Sequence, residues 1–299
     1  MERLLIVGCG DVARRAIPLL THRYDVCALI RDRSQHSRLA KLGVETMAGD
    51  LDRPSSLAKL AGCADILLHS APPPNSGIRD TRTANLLRTL SRGRILPWRI
   101  VYLSTTGVYG DCSGMRIDER APLAPATDRA RRRADAEERL LRWGRANGTS
   151  VAILRVPGIY AADRLPLARL RKGAPALREE DDVYTNHIHA DDLARIMAAA
   201  IERAHFGRSG RAYNACDDSQ MKMGEYFDLV ADVFGLPRPA RISREESQAA
   251  ISPLQRSFMT ESRRIGNARM KRELCVKLRY PTVVEGVADA RRKFADSSD

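Results

Sequence analysis

The 299-residue chain is 43% hydrophobic and 29% charged, a balance that suits a soluble globular protein and excludes large-scale disorder. No stretch approaches the roughly 20 uninterrupted apolar residues of a membrane helix, and the apolar run Leu4–Val7 is too short for a signal peptide. The formal net charge of +13 raises nucleic-acid binding, but the arginines are spread along the chain, so a solvated basic surface that attracts anionic small molecules is favoured.

In chain order, Leu4–Val7 reads as a buried strand, followed by a glycine turn and a helix to about Leu20. Asp25–Ile30 is a second strand, Ser34–Leu42 a helix and Val44–Thr46 a short third strand. A helix at Pro54–Leu60 leads to a fourth strand, Ala64–His69, closed by Ala71-Pro72-Pro73-Pro74. A helix at Thr81–Leu90 precedes a fifth strand, Arg99–Ser104. A helix at Asp128–Asn147 precedes a sixth, Val151–Arg155. Within that helix the run Arg129–Arg133 is followed by Asp135, Glu137 and Glu138, a pattern for i,i+4 ion pairs. The second half is less regular, with helices expected at Ala190–Arg203, Met221–Phe234, Arg244–Ala250 and Thr282–Arg292. The last residues, Asp296–Asp299, should fray.

Continuous apolar strands separated by helices imply a parallel sheet covered on both faces. The expected fold is therefore α/β: a Rossmann-type doubly wound parallel sheet with a smaller C-terminal α/β substrate domain. The sheet domain is expected from residues 1–159 plus about 189–216, and the substrate-binding domain from about 160–188 plus 217–285. The six cysteines are scattered, with no CxxC pair and no His/Cys cluster. They read as reduced thiols of a cytoplasmic protein, with no disulfide framework and no metal site.

Gly8-Cys9-Gly10-Asp11-Val12-Ala13 follows a strand and opens a helix, the context that gives Gly-x-Gly-x-x-Ala its meaning. Gly8 permits the tight turn, Gly10 lets backbone approach a pyrophosphate, and Ala13 lets helix pack on strand. The helix start offers free N–H groups to the phosphates. Gly8, Gly10, Asp11, Val12 and Ala13 are thus expected to bind a dinucleotide, with Arg31, Asp32, Asp50, Leu51 and Ala71 around it. An acid after the second strand selects NAD and an arginine accommodates the 2′-phosphate of NADP. Arg31 comes first, which favours NADP, with NAD the alternative.

These marks, with Leu103–Gly110, Leu154–Tyr160 and Ile188–Leu193, resemble the extended short-chain dehydrogenase/reductase superfamily of the NAD-dependent epimerase/dehydratase type. The glycine spacing and the run Asn267–Leu274 resemble its atypical members. That resemblance implies a Ser/Thr, a Tyr and a Lys that pass a proton while hydride moves to or from the nicotinamide. Thr105 stands at the Ser/Thr place. No tyrosine in the chain has a lysine four residues later, and the best alignment puts Arg129 at the tyrosine place and Arg133 at the lysine place. Arginine does not release a proton there. Thr105, Tyr109 and Arg133 are the candidate catalytic residues, with His187 another candidate acid/base. The two arginines are alternatively an anion-binding pair or decoration of an exposed helix. His187 and His189 flank Ile188 on one side of a strand but lack further ligands at metal spacing. The expected function is an NAD(P)-dependent oxidoreductase or epimerase-like enzyme without the Tyr-x-x-x-Lys pair, acting on a small, anionic molecule, with a homodimer allowed. The alternative is a catalytically silent NAD(P)-binding regulator.

Overall fold

Seven segments, five of them aliphatic-rich, form the central sheet of the computed structural model, which describes residues 1–203, 210–250 and 259–296. The strands are β1 (Glu2–Val7), β2 (Tyr24–Ile30), β3 (Glu45–Ala48), β4 (Ile66–His69), β5 (Arg99–Thr105), β6 (Ser150–Val156) and β7 (Arg211–Asn214). All pairs are parallel, in the order β7-β6-β5-β4-β1-β2-β3. The order reverses between β1 and β4, so a crevice opens at their carboxyl ends, where ligands of doubly wound sheets bind.

Both faces of this sheet are covered, which is why its central strands carry continuous apolar runs rather than alternating ones. Leu4, Ile6, Ala28 and Leu68 face one way and pack with α1 (Asp11–Leu20) and α6 (Ala190–Arg203). Leu5, Val7, Leu29 and Leu67 face the other way, toward α3 (Thr81–Leu90) and α4 (Asp128–Asn147). A full burial of one such aliphatic side chain contributes about 1.5–3 kcal/mol. α4 begins at Thr127, whose hydroxyl accepts the Ala130 N–H, and ends at Gly148 in the left-handed conformation.

Several elements differ from the sequence expectation. The segment expected as a helix at Ser34–Leu42 is a 3-10 turn, Arg33–Gln35, followed by the short α2 (His36–Ala40). The Asp32 carboxylate captures the Ser34 N–H and tightens that turn. Pro54–Leu60 is 3-10 rather than α-helical. β7 has no aliphatic run to announce it; it forms by pairing with β6 at the sheet edge. Met221–Lys222 pairs antiparallel with Tyr184–Thr185 before α7 (Met223–Phe234) begins. Of the expected helix Arg244–Ala250, Ser247–Ala250 is helical. Of the residues expected to fray, Asp296 ends the helix Val283–Asp296, and 297–299 lie outside the described residues.

A third apolar cluster gathers Leu167, Leu170, Phe227, Val230, Val283 and Val287 from α5 (Leu167–Arg171), α7 and the helix Val283–Asp296. His187–His189 pairs in parallel with Gly158–Tyr160, just beyond the end of β6. These segments stand beside the crevice at the ends of β1, β4 and β5.

Candidate functional site

The first cavity, about 430 Å³, lies over the turn after β1 and is lined by Gly8, Gly10, Arg31, Asp32, Asp50, Leu51 and Ala71 among others. Gly8 adopts φ +95°, and a Cβ on it would lie 2.2 Å from the Ala71 nitrogen. The pressure comes from β4: Ser70 and Ala71 both donate their N–H to the Val7 carbonyl, at 2.8 and 2.9 Å. Gly10 is the N-cap of α1 and carries no side-chain cap; a Cβ there would meet nothing within 4 Å. Uncapped N–H groups thus face an open space that a side chain would occupy, a cradle for the phosphates of a dinucleotide.

Asp11, Val12 and Ala13 follow the cradle without lining it. The Asp11 carboxylate turns away to Arg15 and Arg164, both at 2.9 Å. Val12 and Ala13 are buried against the sheet and contribute helix position. At the end of β2, both oxygens of Asp32 are engaged by Ser34, through its N–H at 2.9 Å and its hydroxyl at 2.6 Å. Those bonds hold the Asp32 carboxyl below the usual range. Arg31 is exposed beside it and makes no ion pair or hydrogen bond among the described residues. Arg82, unforeseen from the sequence, grips Asp52 through two bonds (2.8 and 2.6 Å) and the carbonyls of Pro72 and Pro73 (3.1 and 3.3 Å).

Pro72 is shared with a second cavity of about 630 Å³. Thr105, at the end of β5, lines it, and its hydroxyl accepts the Gly107 N–H at 3.2 Å. Arg129 and Arg133 line it from the first turns of α4. Arg133 donates to the Leu103 carbonyl and to the Tyr102 hydroxyl, the latter at 3.2 Å.

Tyr109, by contrast, is not brought to this cavity. The 3-10 turn Thr106–Tyr109 drives its ring inward. There the hydroxyl donates to Asn214 at 2.7 Å and accepts from Arg155 at 2.9 Å. Burial pushes the phenol up to about 12. Arg155 also forms a buried ion pair with Glu137 at 2.8 Å, and the Ser104 hydroxyl donates to the same carboxylate. Tyr109 therefore belongs to a structural network that ties β5, β6, α4 and β7 together.

His187 does line the cavity. Its buried ring packs against Tyr226, with centroids 4.4 Å apart, and against the edge of Tyr160. It makes no side-chain hydrogen bond among the described residues, and burial lowers its pKa to about 4, so the ring is neutral near pH 7. His189 shares that face but stacks on Tyr280 and accepts the Asp191 N–H at 3.2 Å. No group of three metal-ligating side chains occurs among the described residues. Sequence reasoning missed Tyr160, Tyr226 and Arg132 in the cavity wall. Each comes from a different segment, and no local motif announces their meeting.

Comparison with known proteins places this geometry. The chain is 27% identical over 186 residues to the GDP-6-deoxy-D-mannose reductase of Pseudomonas aeruginosa, covering 56% of this chain and 60% of that protein. It is 28% identical over 179 residues to Protein YeeZ of Escherichia coli K12, covering 59% and 61%. The chain thus spans about three-fifths of the length of the curated relatives it matches. Among solved structures, a functionally unknown conserved protein from Silicibacter pomeroyi DSS is 26% identical, with a TM-score of 0.77 and all of both chains covered. No helix among the described residues is long and apolar enough to cross a membrane. The NAD dependent epimerase/dehydratase family matches residues 5–216, from within β1 to just past β7. The chain therefore belongs to that family, as an NAD(P)-binding protein of the extended short-chain dehydrogenase/reductase type.

Proposed function

We propose that the protein is an NADP(H)-dependent oxidoreductase or epimerase-like enzyme for a small molecule, working without the Tyr-x-x-x-Lys pair. The observation that carries this reading is the adjacency of the two cavities. A phosphate cradle with an unpaired arginine at its rim shares Pro72 with a cavity holding Thr105 and His187. Gly8 and Gly10 admit the pyrophosphate, Asp50 and Leu51 flank the adenine, and the Ala71 backbone supports the turn. Asp32 is committed to Ser34 and is poorly available to a ribose hydroxyl, whereas Arg31 is free to hold a 2′-phosphate. Bound NADPH supplies the hydride. In the second cavity Thr105 orients the reacting oxygen, and Arg133, which cannot exchange a proton, serves as a fixed positive charge. His187, neutral near pH 7 and without a hydrogen bond among the described residues, is the side chain to which this reading assigns the proton transfer there. On this reading residues 1–159 and 189–216 hold the cofactor, and about 160–188 with 217–285 close over the substrate. The protein then works in the cytoplasm; light scattering decides whether as a homodimer.

Fluorescence titration tests the cofactor. NADPH should bind about tenfold more tightly than NADH, and Arg31→Ala should erase that difference. Equal or tighter binding of NADH by the native protein overturns the assignment. Turnover is then sought by nicotinamide absorbance across ketones and nucleotide sugars. His187→Phe should lose turnover while keeping NADPH affinity. A second reading, a catalytically silent binding module, draws on the inward burial of Tyr109 and the absence of a tyrosine on α4. Binding without turnover across the whole panel would favour it.

A further inference from the structure

The first turns of α4 carry an electrostatic imbalance that the fold alone does not resolve. On its solvent side, arginines are matched with acids: Arg131 with Asp128 at 3.0 Å, Arg139 with Asp135 at 2.7 Å, and Arg142 with Glu138. On the cavity side, Arg132 and Arg133 have no carboxylate partner among the described residues. Arg132 is 7% exposed; one terminal nitrogen donates to the Gly77 carbonyl, and its Nε has no hydrogen-bond partner. Among the described residues Arg133 donates to a carbonyl and to the Tyr102 hydroxyl and lies over the Tyr102 ring, none of them a counter-charge. Glu261, the one carboxylate among the described lining residues, is already paired with Arg263 at 2.7 Å. Burying a guanidinium without a counter-charge costs several kcal/mol unless something supplies one.

From this we infer that Arg132 and Arg133 form a binding site for an oxyanion, a carboxylate or a phosphate, carried by the substrate. Its position is set by Gly107. Arg133 donates to the Leu103 carbonyl, two residues before Thr105, and a Cβ on Gly107 would lie 3.6 Å from the Thr105 hydroxyl oxygen and 3.7 Å from the Ala130 Cβ, so the start of α4 lies beside the end of β5. The anionic group is therefore held close to the reacting end of the cavity, with Arg133 at the place where the resemblance puts the lysine. The planar guanidinium, with its five donors, suits such a group. This inference rests on the cofactor reading above only for the statement that Thr105 marks the reacting end.

The test is calorimetric titration of the full-length protein, saturated with NADP⁺ so that the phosphate cradle is filled. The probes are inorganic phosphate, malonate and the neutral acetamide. Saturable binding of phosphate or malonate, but not acetamide, is expected, and which anion binds identifies the group. Arg133→Gln should weaken it at least about tenfold, Arg133→Lys by only about threefold, and the surface control Arg142→Gln by less than about twofold. Arg132→Gln should act as Arg133→Gln does; circular dichroism checks its folding, because Arg132 also holds Gly77, and Arg133→Gln decides the matter if Arg132→Gln misfolds. Absence of saturable anion binding to the native protein, equal binding of acetamide, or unchanged affinity in Arg133→Gln overturns the site. If the native protein binds neither NADP(H) nor NAD(H), the cofactor reading falls, and the same titrations without cofactor still decide the oxyanion site.

Discussion

A methyl group added at Gly8 and one added at Gly10 meet opposite surroundings. At Gly8 it would strike the backbone of Ala71 at 2.2 Å, in a conformation with φ +95° that side chains avoid. At Gly10 it would enter empty space. Gly8→Ala should therefore lower stability by about 2–4 kcal/mol in urea denaturation, combining strain and clash. Gly10→Ala should unfold within about 1 kcal/mol of the native chain yet bind NADPH at least about tenfold more weakly. Similar stability losses for both variants would contradict the division between a structural and a ligand-facing glycine. Both glycines were legible in the sequence because they punctuate an apolar strand. Thr105 was picked out by the resemblance, which places a Ser/Thr at the end of the fifth strand. Tyr109 was misplaced because its direction depends on Asn214 and Arg155, which lie 105 and 46 residues away.

Within elements, local propensity and packing can oppose each other, and α4 shows which wins. Gly144 lies inside this helix, where alanine would be favoured by about 1 kcal/mol on propensity. A Cβ there would come within 2.5 Å of the Val151 side chain and 2.8 Å of the Thr149 carbonyl oxygen, the latter backbone that cannot swing aside. Gly144→Ala should accordingly destabilise by about 1–3 kcal/mol, reversing the propensity sign, as read by thermal or urea unfolding. Helix α4 itself was readable as Asp128–Asn147, and the structure adds its Thr127 cap and its left-handed Gly148 terminus. The short elements were not. Asp32 diverts the chain after β2 into a 3-10 turn, and Met221–Lys222 becomes a strand only because Tyr184–Thr185 lies opposite.

Across the whole molecule, buried titratable groups should shape the dependence of stability on pH. Burial lowers His69 and His187 from 6.5 to about 4, while it raises Asp217 from 3.8 to about 7. For each histidine the native state resists the proton. Its contribution is full above pH 6.5 and is lost as pH falls through about 4, worth roughly 3 kcal/mol each. For Asp217 the sign is opposite: the fold favours the protonated acid, and stability declines as pH rises from about 4 to about 7. One Asp217 oxygen accepts the Ser219 N–H at 2.9 Å, and the other has no hydrogen-bond partner among the described residues. Asp217→Asn, a mimic of the protonated acid, should be more stable than the native chain by about 2–4 kcal/mol at pH 8, with little difference at pH 4. Urea titrations at the two pH values check this; a gain that does not depend on pH would show that desolvation of the Asp217 carboxylate is not the cause.

The amino-acid sequence by itself determined the sheet, the glycine turn and the absence of a tyrosine–lysine pair on α4. These are carried by short-range patterns: strands covered on both faces must be apolar throughout, and a tight turn beside a phosphate requires glycine. Only the tertiary structure decided which side chains share the cavity with Thr105. It turned Tyr109 into a buried strut, and it brought His187, Tyr160 and Tyr226 together beside Thr105. It also left Arg132 and Arg133 on the cavity side of α4 without counter-charges among the described residues. Those outcomes depend on where segments remote in the chain come to rest, and burial, which sets the charge state of each group, exists only once they have packed.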